Sequence, residues 1–320
     1  MMEALWFILL LHAIPPSPAG GGYLDLSGNS FYFAQDSPAL DALLKDEWTI
    51  EMWIYIESYP PIPEEPESEG GKIVRWRENF SPIMLKPLSF AFLLGMLKDP
   101  LPTLKGWECH LYMLIYFPDD DGEPTWFMTS IAQNGELIDP KFFQGPIMEL
   151  EKWHHVAVQL LGGRIYLYFD GFLDSSEVLD RRWKPRIFDS KRRLFIGMPP
   201  EGEVSELMEI VRIPSRGVLY PFEGAIDELR ISDVARYRGR RIEVPVGRFE
   251  RDAHTLALWH FDEPPGSLRY EDSSGNGNAL FSSRLLPISP KGEKPVIWGE
   301  MKGDHPVGFR KLGQPSNPKG

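Results

Sequence analysis

The chain has 320 residues, 42% of them hydrophobic and 12% aromatic, which is ample for a large packed core and excludes a disordered chain. Its 34 basic and 46 acidic residues give a formal charge of −12, which argues against nucleic acid as a bulk electrostatic partner. A single cysteine, Cys109, excludes an intrachain disulfide, and 29 glycines with 30 prolines favour many turns over long helices.

The chain opens on an apolar run, Ala4–Ile14, too short to span a bilayer but of the length found in a signal-peptide core. Ser17-x-Ala19 is the small-residue pattern of a cleavage site, so residues 1–19 are expected to be a leader and the protein secreted or displayed at a cell surface. No transmembrane span is predicted. Strands follow at Gly22–Gly28 and Ser30–Ala34, and a short turn or helical connection at Asp36–Asp46. Trp48–Ile56 alternates cleanly, with Trp48, Ile50, Met52, Ile54 and Ile56 on one face. Tyr59–Gly71 is rich in Pro and Glu and is expected to be a solvated loop. Further strands are predicted at Lys72–Trp76, Leu88–Leu94, His110–Phe117, Trp126–Ala132 and Phe142–Glu149. Asn79-Phe-Ser has the form of a glycosylation sequon.

Trp153–Gly171 has the clearest hairpin pattern. Two strands rich in β-branched and aromatic residues flank Gly162-Gly163, which can supply the positive φ of a tight turn. Val156, Val158 and Leu160 face one way with Ile165, Leu167 and Phe169, while His155, Gln159, Tyr166 and Tyr168 take the other face. Two basic runs, Arg181–Arg193 and Arg236–Arg241, read either as solvated faces offsetting nearby acids or as contacts for anionic glycans.

Trp153–Val158 with Tyr168–Gly171 resembles the central hairpin of the laminin-G-like, concanavalin A-like jelly-roll modules. Trp48–Ile54, Leu194–Gly197, Phe222–Ile231 and Leu258–Glu263 with Asp272–Asn278 match the same pattern in order. The resemblance implies an all-β fold, an antiparallel β-sandwich of jelly-roll type, as one domain over residues 22–285, with a mostly irregular tail at 286–320. It implies carbohydrate binding, adhesion or enzyme-attached targeting. Too few residues follow Phe281 for a second sandwich, so 255–261 are expected to pair back into the first and close its edge.

Retaining glucanases of this fold carry two or three acids at alternate positions of one strand, which brings two carboxyls about 5–5.5 Å apart in a cleft. Here Gly224–Leu229 offers Asp227 alone by parity, with Ala225 and Leu229 beside it, so no catalytic set is assigned. A glycoside hydrolase built from scattered acids is the weaker alternative. Aromatic plates beside hydrogen-bonding groups suit sugar rings, which nominates Trp53, Tyr55, His155, Gln159, Tyr166 and Tyr168 as a glycan-binding face, unless loops cover it. A protein-binding adhesion role is the rival reading. Calcium takes loop carboxylates and Asn oxygens, which nominates Asp272, Asn276 and Asn278, with Asp227 as a further ligand. His154 and His155 point to opposite faces of a strand and do not suggest a shared ion.

Overall fold

The structure, a computed structural model, describes residues 14–27, 30–62, 67–69, 72–75, 78–87, 89–98, 107–118, 124–132, 148–178, 190–199 and 218–285. The apolar part of the expected leader, most of the run 181–193, the Asp119–Asp121 turn and the tail 286–320 lie outside these residues. In chain order come β1 (Leu24–Asp25), β2 (Phe31–Ala34), a 3₁₀ segment Pro38–Leu44, β3 (Trp48–Ile56), β4 (Glu67–Glu69), β5 (Lys72–Arg75) and β6 (Glu78–Lys86). Then follow β7 (Phe90–Lys98), β8 (Trp107–Pro118), β9 (Pro124–Ala132), β10 (Trp153–Leu161), β11 (Arg164–Phe169) and β12 (Phe172–Val178). The last are β13 (Leu194–Gly197), β14 (Val218–Leu219), β15 (Gly224–Ser232), β16 (Thr255–Trp259), β17 (Arg269–Tyr270) and β18 (Leu280–Ser282).

These strands form an antiparallel sandwich of jelly-roll type. One sheet runs β1-β15-β3-β10-β11-β12, with β16 sharing the free edge of β15 with β1. The other runs β17-β18-β2-β13-β6-β7-β8-β9, with β14 pairing β6 in parallel. The hairpin at Gly162-Gly163 has its expected register, Val158 opposite Leu167 and Gln159 opposite Tyr166, and both glycines have positive φ. The residues at 255–259 pair with β15, Leu229 opposite Trp259, and so close that edge.

Alternation places the core as the sequence predicts. Trp48, Ile50, Met52, Ile54 and Ile56 on β3 join Val156, Val158, Leu160, Ile165, Leu167 and Phe169 in one apolar layer. The second sheet answers with Met84, Phe90, Phe92, Leu94, Leu111 and Met113. Cys109 packs in the same layer, and burial pushes its thiol well above the usual range, as befits an inert apolar filler. Trp153 is only half-buried and packs on the outer cluster of Ala19, Trp53, Phe249 and Leu258.

Two differences from the sequence reading have local causes. β6 is unforeseen because Pro82 argues against a strand; the chain accommodates it with a bulge between Pro82 and Met84, where the ladder is already interrupted. Asn79 of the sequon sits on β6, 5% exposed, donating Nδ2 to the Pro61 carbonyl at 2.7 Å, so its amide is spent inside the fold. Of the strand expected at Phe142–Glu149, Met148 and Glu149 lie outside any strand, and 142–147 fall outside the described residues.

Val158 is 3% exposed between the sheets. Val158→Asp is expected to abolish cooperative unfolding, because an unpaired buried carboxylate costs several kcal/mol of a typical total of about 5–15 kcal/mol. Circular dichroism melting checks this, and an unchanged transition rejects the assignment of that face.

Candidate functional site

The outer face of the β15-β3-β10-β11 sheet carries Trp53, Tyr55, His155, Gln159, Tyr166 and Tyr168, the parity set nominated for sugar rings. The structure brings them together and covers most of them. Trp53 and Tyr55 are each 5% exposed, Tyr168 is 1%, and His155 and Gln159 have no exposed surface; Tyr166 alone is half-exposed. Between β15 and β16 the chain leaves the sheet as a strap, residues 233–254, and the segment 15–19 lies beside it. Gln159 holds the Tyr237 backbone at both ends, Nε2 donating to its carbonyl at 2.8 Å and Oε1 accepting its N–H at 3.0 Å. Tyr168 Oη donates to the Gly239 carbonyl at 3.1 Å. Val244, Phe249 and Ala19 then pack with Trp53, Trp153 and Leu258.

Under the strap sits Glu51, a carboxylate with no exposed surface. Arg230 donates to Oε1 from Nε at 2.9 Å and from its Nη2 at 2.7 Å, and the Tyr237 hydroxyl donates to Oε2. Burial alone would raise this carboxyl, but neighbouring His155, with Nε2 at 3.6 Å, and Arg230 outweigh it and hold Glu51 below its ordinary range. His155 itself makes no hydrogen bond through either ring nitrogen among the described residues, and instead packs against Trp53, Tyr237 and Phe249.

A second acidic node corrects the parity argument. Glu228 has φ +50°, and a bulge shifts the register between Asp227 and Arg230. Leu229 therefore turns into the core with Ile226 and Ile231, while Asp227 and Glu228 both reach the outer layer. Strict alternation had placed Leu229 beside Asp227 and Glu228 opposite. Asp227 accepts from the Ser17 hydroxyl and from the Glu228 N–H at 2.8 Å. Glu228 accepts the Phe249 N–H at 2.7 Å and lies 2.7 Å from His260 Nδ1. Both carboxyls have no exposed surface, so the pair faces no open cleft. Ser17 and Ala19, the expected cleavage pattern, are 6% and 5% exposed and form part of this cover.

The loop 272–278 sits at the sandwich rim, and its polar side chains are hydrogen-bonded within the protein. Asp272 Oδ1 accepts the N–H groups of Leu258 and Ser274, and Oδ2 accepts the N–H and Nδ2 of Asn278, all at 2.8–3.0 Å. Asn278 Oδ1 accepts the Ser37 hydroxyl, and Asn276 turns its Nδ2 to the carbonyls of Leu256 and Thr255. Asp227, nominated together with this loop, lies apart from it in the node with Ser17 and Glu228. Among the described residues no group of three or more His, Cys, Asp or Glu is placed to hold a metal ion. Next to this loop Ser37, Pro38, Ala39, Leu256 and Asn276 line an open depression of about 330 Å³, which the sequence pattern did not reveal.

No family model matches the chain, and no curated protein matches it. Among solved structures it is similar to a candidate carbohydrate-binding protein of Bacteroides ovatus, with TM-score 0.47 and 14% identity over 82% of this chain and 57% of that one. The CBM40 module of a Ruminococcus gnavus sialidase bound to α2,3-sialyllactose gives TM-score 0.40 and 10% identity over 68% of this chain and 91% of that one. The LG4–5 domains of the mouse laminin α1 chain give TM-score 0.34 and 15% identity over 69% and 45%. The chain thus spans 57% of the Bacteroides protein and less than half of the laminin fragment. These are jelly-roll domains, and at such identities the likeness extends to the fold alone. Among the described residues no helix is long and apolar enough to cross a membrane.

Burial raises Asp227 from 3.8 to about 8, against the Ser17 hydrogen bond, and the nearby Glu228 and Asp262 charges add to the rise. A raised carboxyl contributes stability that is present in full below its unfolded value and lost as pH climbs through the folded one. Melting temperatures of the wild type and Asp227→Asn, measured from about pH 4 to about pH 8, should therefore diverge in favour of the variant as pH rises. Parallel curves overturn the assignment of a neutral Asp227. The rim geometry sets a second expectation: millimolar calcium and chelator leave the melting curve where it is, and a calcium-dependent rise lost in Asp272→Ala contradicts that arrangement.

Proposed function

We propose that this chain is a non-catalytic glycan-binding module, secreted or displayed at a cell surface, that contacts sugar at the rim rather than on the sheet face. The observation that carries the reading is the open depression of about 330 Å³ between the 3₁₀ segment and the 272–278 loop. Pro38, Ala39 and Leu256 give it an apolar lining for the C–H face of a sugar ring, and Ser37 Oγ and Asn276 Oδ1, whose donor atoms are spent on Asn278 and on backbone carbonyls, stand at its edge as acceptors. Its volume is at the small end of the range for ligand pockets, suited to one or two rings. The walls are fixed. Buried Lys86 bonds Asp36 at 2.8 Å and also Asp41, which pins the 3₁₀ segment, while Asp272 and Asn278 staple the facing loop.

The internal commitments of the acids support a binding role over hydrolysis. A glycosidase needs two carboxyls facing one substrate-sized cleft. Glu51 is paired with Arg230, Glu228 accepts the Phe249 N–H and lies beside His260, and Asp227 lies beneath Ser17.

Ala39→Trp should fill the depression without touching the core. On an array of neutral oligosaccharides, wild type is expected to bind, and Ala39→Trp to bind at least about tenfold more weakly with an unchanged melting temperature. Absence of binding to any saccharide, together with capture of a protein ligand at the rim, sinks the reading in favour of adhesion.

A further inference from the structure

The crest of the strap is a rigid arch of arginines. Tyr237 is fixed below by Gln159 and Glu51, the Gly239 carbonyl accepts from Tyr168, and the Arg240 carbonyl accepts the Leu173 N–H at 2.9 Å. Ile242 N–H donates to the Gly171 carbonyl at 2.8 Å, and Arg241 stacks its guanidinium 4.4 Å from the centre of the Phe172 ring. Gly239 has φ +86°, which lets the chain turn here and sends the side chains of Arg238, Arg240 and Arg241 outward, all exposed. Arg236, by contrast, points down to Ser232 and forks onto Asp252 at 2.9 Å.

Three exposed guanidiniums within four residues, on a chain of net charge −12, invite acidic partners from within the protein. Among the described residues none of the three makes an ion pair, whereas Arg230, Arg236, Arg248 and Arg269 do. The arch lies over β10 and β11, where Tyr166 stands directly across from Gln159, the residue that anchors Tyr237. Tyr168, which holds the Gly239 carbonyl, feels the charge of both Tyr166 and Arg238, in keeping with their place on the same side of the sheet. Tyr166 is the only member of the nominated aromatic face left half-exposed.

We propose that this arch, with Tyr166 beside it, is a second contact site, for the anionic groups of an acidic polysaccharide. Guanidinium forks match carboxylate and sulfate oxygens bidentately, and a neighbouring aromatic face stacks on the ring that bears them. Anchoring by backbone hydrogen bonds holds the arch in place before the ligand arrives, which lowers the ordering cost of binding. The inference rests on the glycan-binding reading and adds a charge class to it.

The test uses the full chain against immobilised polygalacturonate, dextran sulfate, neutral dextran and a DNA duplex, at several salt concentrations. Retention on the two acidic polysaccharides is expected to exceed that on neutral dextran and to fall with salt; the stronger of the two identifies carboxylate or sulfate as the preferred group. Arg238→Gln/Arg240→Gln/Arg241→Gln should weaken that binding by at least about tenfold at an unchanged melting temperature. Arg238→Gln/Arg240→Gln, which keeps the Phe172 stack, should lose a smaller share. Tyr166→Ala should weaken binding to the polysaccharides and leave any DNA binding unaltered, and Arg269→Gln/Arg284→Gln should change nothing. Equal affinity for the duplex, or arginine variants indistinguishable from wild type, overturns the proposal. Ala39→Trp separates the two sites. If neutral glycans bind at the rim and the arginine variants retain all acidic binding, this site falls alone; if no neutral glycan binds but the arginines still hold the acidic polymers, the rim falls and this site stands.

Discussion

A carboxylate with no exposed surface sits in the middle of β3, and the outer layer of the molecule is organised around satisfying it. Glu51 on a sheet surface would cost nothing if water reached it. Once buried, it must be paired and fully hydrogen-bonded or it costs several kcal/mol. Arg230 from the neighbouring strand supplies the charge, and Tyr237 from the strap supplies the remaining hydroxyl donor. The strap that delivers Tyr237 also brings Gly239 to Tyr168 and Phe249 to Glu228, so one polar requirement fixes some twenty residues across the sheet.

That closure redistributes what the surface can do. Trp53 packs against Ala19 and Phe249, Tyr168 against Tyr237 of the strap and Tyr55 against Trp153, so none is a plate open to a ligand. The surfaces that the strap and the loops leave open are the rim depression at one edge and the arginine crest. The bulge at Asp227-Glu228 belongs to the same adjustment. Turning Glu228 outward lets it take the Phe249 N–H, and the extra residue restores Leu229, Ile231 and their neighbours to the core.

Sequence pattern carried the sandwich well because alternation is a local property. The faces of β3, β10 and β11, the Gly162-Gly163 turn and the return of 255–259 to the sheet edge are all set by period-two burial and by turn residues adjacent in the chain. It faltered where the backbone departs from the ideal pleat. A proline at a bulge hid β6, and a positive φ at Glu228 reversed the face of two residues without any glycine to announce it.

The amino-acid sequence by itself determined the two-sided strands, the hairpin, the inert single thiol and the presence of an aromatic outer face. The tertiary structure decided whether that face is open, because exposure depends on a strap that joins β15 to β16 and lies across strands far from it in the chain. It also decided that Asp272, Asn276 and Asn278 spend their polar atoms on backbone groups and on one another. Donor and acceptor types are written in the residue names; which partner each one finds depends on distances between distant segments, and only the packed chain sets those distances.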